Sequence, residues 1–414
     1  MTIKSRIAIL SDLHIGEKAR EFDMRPQGKP AFPNQVGFLD YFEQVVSSEG
    51  LSADILVISG DITDRAQPSQ FVHAGKLINR IASKLGVKND SVVIVPGNHD
   101  LNWDVAQLAA NNNEPFWLDY RFAPFVAGQI QAGYGATLAE ALVKPPHFLL
   151  QRNDHADLWS FNSAAYDTPD RKPHYGEIRE QHRQALADAL QAEYGSKVKE
   201  KRRIFITHHH LKPQPDLYPD IPDFSGMVNG DQLYDLILSY NFDLVLHGHK
   251  HRPWIRATLE SGTNPIVTWC SGSFSQQLGS YFDGRIANLW HLVDIHESPP
   301  GLPCKGEIKS WAFAPAQGWV PARPIVHGID HITPFGYVQD RTTISDLMDT
   351  ALAAAFAHTD YVEWKDVCVL EDALRYQPGP VVWSILSEVC DRLKLRPHGE
   401  QGSLDGLIIL RNKK

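Results

Sequence analysis

The chain lacks the features that mark secreted, membrane-spanning or polyanion-gripping proteins. Its 414 residues contain four cysteines, Cys270, Cys304, Cys368 and Cys390, spaced far apart and never in a CxxC pair. A disulfide framework is therefore not expected, and the four read as small, reduced, buried apolar residues. No apolar stretch approaches the roughly 18 residues of a spanning helix. The opening residues, MTIKSRIAILSDLHIG, offer only a short apolar run after Lys4 and Arg6, with an aspartate where a signal peptide carries small residues. No export signal is read, and a cytoplasmic location is expected. Long Lys/Arg runs are missing too: the net charge is −9, and the densest basic stretch, KVKEKRR (Lys197 to Arg203), reads as a solvated helix end. Proteins that track a long phosphate backbone usually carry a basic stripe, so a large nucleic acid is not the favoured partner. Internal repeats and low-complexity tracts are absent.

What is present is an ordinary globular composition, 43% hydrophobic and 21% charged, and a pattern that recurs along the chain. Five short runs rich in Ile, Val and Leu end alike. RIAIL leads into Ser11-Asp12-Leu13-His14, DILVI into Ser59-Gly60-Asp61, SVVIV into Pro96-Gly97-Asn98-His99-Asp100, RIFI into Thr207-His208-His209-His210, and FDLVL into His247-Gly248-His249. Near-continuous β-branched runs of this length suit strands buried on both faces. Helical patterns such as GFLDYFEQVVSS and REQHRQALADALQAEYG lie between them, so the class is α/β and a largely parallel central sheet is expected. Strand C-terminal ends share one edge of such a sheet, where ligands bind. Taken singly, an Asp after a strand is a cap or turn residue, and a lone His is a satisfied core or surface residue. Five strands ending in ligand-type side chains shift that balance towards one site.

The collected donors are carboxylate oxygen, amide oxygen and imidazole nitrogen, without thiolate. This mixture suits Mn, Fe, Zn, Co or Ni rather than calcium or a structural zinc site. There are too many donors for one ion. Two ions about 3.5 to 4 Å apart, sharing a carboxylate, are the arrangement that activates water and clamps a phosphorus centre.

In order and spacing, Asp12-x-His14, Gly60-Asp61-x-x-Asp64, Gly97-Asn98-His99-Asp100, the His208 run and Gly248-His249-x-His251 resemble the calcineurin-like metallophosphoesterases, over roughly residues 5 to 300. Within that family DLHIG, GDITD, GNHD and LHGHKH look most like the bacterial class III cyclic nucleotide phosphodiesterases. The resemblance implies a four-layer α/β/β/α sandwich of two mixed sheets and a pair of divalent ions, Mn or Fe first, with Zn, Co or Ni as alternatives. It places Asp12, His14 and His251 on the first ion, Asn98, His208 and His249 on the second, and Asp61 between them. His247 precedes the Gly-His-x-His motif and is read as a bystander, and Asp64 as orienting a ligand or capping the next helix. His99 is implied to act on the substrate, stabilising the transition-state oxygen or protonating the leaving alkoxide, with a metal-bridging hydroxide as nucleophile. The family's fourth motif commonly reads His-x-Pro; here His208-His209-His210 delays proline to Pro213, so His209 and His210 stand as alternatives to His208.

Three long segments follow ligand motifs and are expected around the site's mouth: Glu17 to Gly37, Leu101 to about Asp154, and the Pro-rich Lys212 to Gly230. Trp103, Phe116, Trp117 and Tyr120 of the second read as a helical insert packing its own core, with base stacking as the alternative. The catalytic domain is expected over residues 1–337. Residues 338–414 are read as a mostly helical appendage of three helices and a strand, winged-helix-like in outline, which packs or binds a protein partner rather than DNA. The function expected is hydrolysis of a small phosphodiester. The alternatives are a nuclease or phosphomonoesterase of the same family, or a scaffold that kept the fold without catalysis; no substrate-binding residues are assigned.

Overall fold

The computed structural model describes residues 2–168, 174–195, 198–214, 225–258, 265–278, 286–298, 302–315, 317–336 and 340–412. Among these, the strands are β1 (Ile3–Leu10), β2 (Ile55–Ser59), β3 (Val92–Val95), β4 (Phe148–Arg152), β5 (Ala156–Phe161), β6 (Arg202–Ile206), β7 (Leu244–His247), β8 (Pro253–Thr258), β9 (Ile266–Ser271), β10 (Leu289–His296), β11 (Gly306–Ala314), β12 (Gly318–Pro321), β13 (Ile332–Phe335), β14 (Tyr361–Glu363), β15 (Leu395–His398) and β16 (Ile408–Arg411). One sheet runs β12-β11-β10-β1-β2-β3, with β13 on β11, and a second runs β4-β5-β6-β7-β9-β8. The parallel strands are thus divided, β1, β2 and β3 in one sheet and β5, β6, β7 and β9 in the other. These are the two mixed sheets that the family resemblance implies, and they divide the single central sheet that periodicity alone suggests. A run apolar on both faces is satisfied equally by helices on both sides or by a helix on one side and a second sheet on the other.

Alternation within each run shows which applies. Ile7 and Ile9 of β1, with Ile55 and Val57 of β2, pack against Ile204, Ile206, Leu244 and Leu246 of the second sheet. Ala8, Leu10, Leu56 and Ile58 turn the other way, onto Phe38, Phe42, Phe71 and Ile78 of the helices Phe38–Ser48 and Pro68–Leu85. On the far side, Phe205 and Val245 meet Leu186, Leu190, Leu233 and Ile237 of the helices Glu180–Tyr194 and Gly230–Ser239. The layers are α/β/β/α, with the apolar core between the sheets.

The basic stretch read as a helix end is otherwise employed. The helix stops at Tyr194, and Lys199 Nζ and Arg202 Nη1 hold the buried Asp243 carboxylate at 2.8 and 3.0 Å. A buried carboxylate needs such partners, which is why these cations do not form a surface stripe. In the insert, Phe122, Phe125, Ala139 and Val143 join the core, while Phe116 stays 82% exposed and Trp117 and Tyr120 are exposed at the surface.

After residue 340 a separate apolar core forms around Met348, Leu352, Val367, Leu386 and Ile409. Its elements run helix Arg341–Ala355, β14, helices Trp364–Leu370, Asp372–Arg375 and Gly379–Leu393, then β15 and β16, with sheet order β14-β16-β15. The sequence reading found only the last of these three strands, because β14 and β15 are three and four residues long and carry no usable alternation.

One core histidine predicts an acid sensitivity. His291 on β10 is fully buried, with Nε2 2.6 Å from the Ser271 carbonyl and Nδ1 2.8 Å from Ser310 Oγ. Burial lowers its pKa to about 4. The unfolded chain, with an ordinary histidine near 6.5, therefore binds the proton first as pH falls. The contribution is present above about pH 6.5 and is lost progressively down to about pH 4, amounting to about 2 kcal/mol at pH 5. Thermal melts of metal-free protein should show His291→Gln losing less stability than the parent between pH 7 and pH 5; equal losses would remove His291 from the acid response.

Candidate metal centre

The five ligand motifs sit where the apolar runs stop. Their residues leave the strands through backbone conformations that L-residues rarely adopt: φ is +51° at Asp12, +44° at His14, +49° at Asp61, +71° at His249 and +54° at His251. Left-handed non-glycine residues cost on the order of 1 kcal/mol each and gather at functional sites. The turns aim successive side chains inward instead of alternating them. Close approach also needs glycine: a Cβ at Gly60 would lie 2.4 Å from His208 Nδ1, and one at Gly97 2.2 Å from Asp61 Oδ1.

The side chains converge. Asp12, His14, Asp61 and His251 bring one ligand atom each to within 4.8 Å of one another, and so do His208, His209 and His249. Within the first group His251 Nε2 is 3.0 Å from Asp12 Oδ1, and the Nε2 atoms of His14 and His251 are 3.3 Å apart. Asp61 Oδ2 lies 3.6 Å from His14 Nε2 and 3.3 Å from His208 Nε2, so one carboxylate faces both groups. Asn98 Oδ1 and His209 Nε2 are buried without a hydrogen-bond partner. Buried polar atoms are normally paired, and an orphaned oxygen and nitrogen beside carboxylates and imidazoles fit a cation. The donor set therefore suits a pair of divalent ions.

Backbone and hydroxyl groups fix the rings. His208 Nδ1 is 2.8 Å from the Ser59 carbonyl, which turns Nε2 towards Asp61, and His209 Nδ1 is 2.8 Å from Ser163 Oγ. His99 Nδ1 is 2.9 Å from the Asp64 carbonyl, and the His99 backbone N–H donates to Asp61 Oδ1 at 2.8 Å. Such orientation of ligand rings by neighbouring groups is typical of metal sites.

Electrostatics follow from burial and crowding. Burial alone would raise Asp12 and Asp61, but the facing imidazoles outweigh it, His251 and His14 for Asp12, His208 and His99 for Asp61. Both carboxyls stay well below the usual range. Burial, aided by His99 and His251, lowers His14 to about 4, and burial with the neighbouring histidines holds His209 and His249 well below the ordinary value. These rings are neutral, with lone pairs available to a metal. His208 goes the other way, to about 9, because Asp61 outweighs its burial. The field that holds a proton there also attracts a cation.

His247 is buried outside this constellation: its Nε2 meets Gln214 Nε2 at 2.8 Å and its Nδ1 lies 3.1 Å from the Gly248 carbonyl. His210 stacks beside His249 at 6.2 Å between ring centroids. The Asp64 carboxylate is buried near Lys18 Nζ at 3.3 Å; the helix Pro68–Leu85 starts from Gln67 with Gln70 instead of being capped by Asp64. A cleft of about 400 Å³ opens from Asn98 and His99 past Arg65, Gln67, Trp103 and His174. The Glu17 to Gly37 segment reaches the site through Lys18, whereas residues 215–224 of the Pro-rich segment lie outside the described residues.

Sequence reasoning missed four supporting residues. The Asp100 carboxylate accepts from the N–H groups of Ile62 (3.1 Å), Thr63 (2.9 Å) and Gly97 (2.9 Å), stapling two ligand loops together. Burial and the neighbouring Asp61 push its pKa up to about 6 against those donors. Ser273 Oγ donates to the Asp12 carbonyl at 2.8 Å, and Ser275 Oγ to that of Leu13. Ser163 holds His209. The serines carried no signal, since a serine after a strand is common in any turn. Asp100 did, as part of the Asn98-His99-Asp100 run.

No curated protein matches the chain. Among solved structures it is similar to the calcineurin-like phosphoesterase YfkN from Bacillus subtilis (11% identity, 94% of this chain and 99% of that one, TM-score 0.37), the phosphopantetheinyl hydrolase PptH from Mycobacterium tuberculosis (17%, 64% and 89%, TM-score 0.33) and the NAD nucleotidase NadN from Haemophilus influenzae (8%, 77% and 60%, TM-score 0.38). No helix among the described residues is long and apolar enough to cross a membrane. The family model for calcineurin-like phosphoesterases matches residues 5–253, which carry all five motifs and more than half of the sequence. The chain therefore belongs to the calcineurin-like phosphoesterase family and is a metal-dependent phosphoric ester hydrolase.

Proposed function

We propose that the protein hydrolyses small phosphodiesters, with cyclic nucleotides the nearest family analogy, at a dinuclear centre of Mn or Fe. Asp12, His14 and His251 hold the first ion, Asn98, His208 and His249 the second, and Asp61 both. The observation that carries this reading is the single Asp61 carboxylate facing His14 and His208 at 3.6 and 3.3 Å. When bound, the ion pair supplies an activated water and neutralises charge on the phosphoryl oxygens. The rest falls to the protein. Asp12 and Asp61 are the only carboxylates in this ligand set, so with both positions filled the pocket would carry a net positive charge suited to an anionic ester without a basic surface. His99 is held by the Asp64 carbonyl through Nδ1, which leaves Nε2 as the position that gives a proton to the departing alkoxide. The cleft past Trp103 takes the remainder of the ester.

We also read residues 338–414 as a winged-helix-like unit that packs rather than reads nucleic acid. The loop between β15 and β16, the wing, is engaged by the catalytic domain: Asp330 accepts from Ser403 Oγ at 3.0 Å and Leu404 N at 2.9 Å, and Arg323 Nε meets Glu400 Oε2 at 2.8 Å.

The deciding experiment is a substrate panel with Mn-loaded protein: cyclic mononucleotides, linear dinucleotides, glycerophosphodiesters, single- and double-stranded DNA, and phosphomonoesters. A small diester should give the highest kcat/KM, and its turnover should change little with salt, while any DNA cleavage falls steeply. Preference for single-stranded DNA at physiological salt would replace this reading with a nuclease; turnover of monoesters alone would replace it with a phosphatase.

A further inference from the structure

The three consecutive histidines after β6 are treated unequally by the fold. His208 faces Asp61, and the motif pattern asks for one ligand from this run, with His209 and His210 only as alternatives to His208. Yet His209 is fully buried, and a ring nitrogen of His209 lies within 4.8 Å of ligand atoms on both His208 and His249. Its ring centroid is 4.3 Å from that of His249 and 5.0 Å from that of His208. Ser163 Oγ pairs with Nδ1 at 2.8 Å and also accepts the His209 backbone N–H at 3.1 Å, so the hydroxyl holds both the ring and the main chain of the residue. Nε2 is buried with no hydrogen-bond partner. A buried imidazole nitrogen left without a partner is destabilising unless something occupies it.

A second feature marks the ring as placed for a purpose. A Cβ on Gly176 would lie 2.8 Å from His209 Cβ and Cγ and 3.0 Å from Nδ1. Only glycine lets that strand of backbone close over the ring, as Gly60 closes over His208. The segment carrying Gly176 is itself tied to the chain just before the helix Gly230–Ser239, Val228 N donating to the Gly176 carbonyl at 2.8 Å.

We infer that His209 is an additional ligand of the second metal ion, bonding through Nε2 beside His208 and His249, with Ser163 as the residue that orients it. This rests on the dinuclear reading above and extends it. The second ion then has three imidazoles, Asn98 and the shared Asp61, against two imidazoles and two carboxylates for the first. The two positions are chemically unequal: three nitrogen donors raise the preference of the second for Zn, Co, Ni or Fe over Mn or Mg, whereas the first keeps the harder character of its carboxylates.

The test compares full-length protein with His209→Ala, the volume-keeping His209→Gln and Ser163→Ala, all stripped of metal and titrated with Zn²⁺ or Co²⁺ alone. Readouts are ion stoichiometry by elemental analysis, affinity by chelator competition, and the visible spectrum of bound Co²⁺. Melting of the metal-free forms checks folding. We expect the parent to take two ions. Both His209 variants should keep the first and bind the second at least about 10-fold more weakly, with a changed Co²⁺ band that added imidazole restores in His209→Ala. Ser163→Ala should weaken the second ion less. A second ion bound as tightly to both His209 variants as to the parent, with an unchanged spectrum, overturns the role of His209 while leaving the dinuclear centre standing. A parent that takes fewer than two ions overturns the dinuclear reading, and this inference with it.

Discussion

Asp61→Ala is expected to lose both metal ions and at least about 1,000-fold in kcat/KM. The size follows from position. One carboxylate faces His14 at 3.6 Å and His208 at 3.3 Å, while its other oxygen accepts the His99 N–H at 2.8 Å. In the dinuclear reading proposed above, its removal would take an anionic donor from both ions and the charge between them, and it would free the loop that carries His99. Metal catalysis supplies several kcal/mol of transition-state stabilisation, and each 1.36 kcal/mol is a factor of ten. His247→Ala is the matched control: it changes another buried residue, at the end of β7 beside the His249 turn, but one whose ring nitrogens meet Gln214 and the Gly248 carbonyl. Elemental analysis of both purified variants is decisive. Two ions retained by the Asp61 variant, or one missing from the His247 variant beside full occupancy in His251→Ala, would overturn the ligand assignment.

His99→Ala should keep its fold and both ions yet lose rate by about 100-fold or more on esters with alkoxide leaving groups, the usual size of general-acid help. The ring is half-buried, beside His14 at 4.6 Å between centroids, and brings a nitrogen to within 4.8 Å of ligand atoms on His14 and Asp64. Its Nδ1 is committed to the Asp64 carbonyl, so the substitution removes a proton donor rather than a support for Asp61, whose contact is with the backbone N–H. The loss should shrink for leaving groups acidic enough to depart unprotonated. Equal losses on good and poor leaving groups would assign His99 to charge stabilisation instead, and a lost metal ion would show that the ring holds the centre together.

Much of this site was legible from the chain alone, for a local reason. Strands enclosed on both faces must be nearly continuous in Ile, Val and Leu, and the first polar residues after them stand at the sheet edge. The run and its terminator are adjacent in sequence, so the clusters that begin at Ser11, Ser59, Pro96, Thr207 and His247 could be picked out without knowing where any strand lies, while the choice of ligand within each came from the family resemblance. The C-terminal unit was legible only in its longer helices.

What the tertiary structure alone decided is everything that joins distant segments. That β1, β2 and β3 part company with β6 and β7 depends on which apolar face meets which, and a run apolar on both faces does not say. His208, His209 and His210 are equivalent by composition. Their difference comes from the Ser59 carbonyl, 149 positions away, and Ser163, 46 away, together with turns that abolish the two-residue alternation. Asp100 became a staple only because the Gly60 and Gly97 loops lie side by side on adjacent strands. Local pattern reflects solvent exposure along one element, whereas ligand geometry depends on loop closure between elements, and no period in the sequence records that.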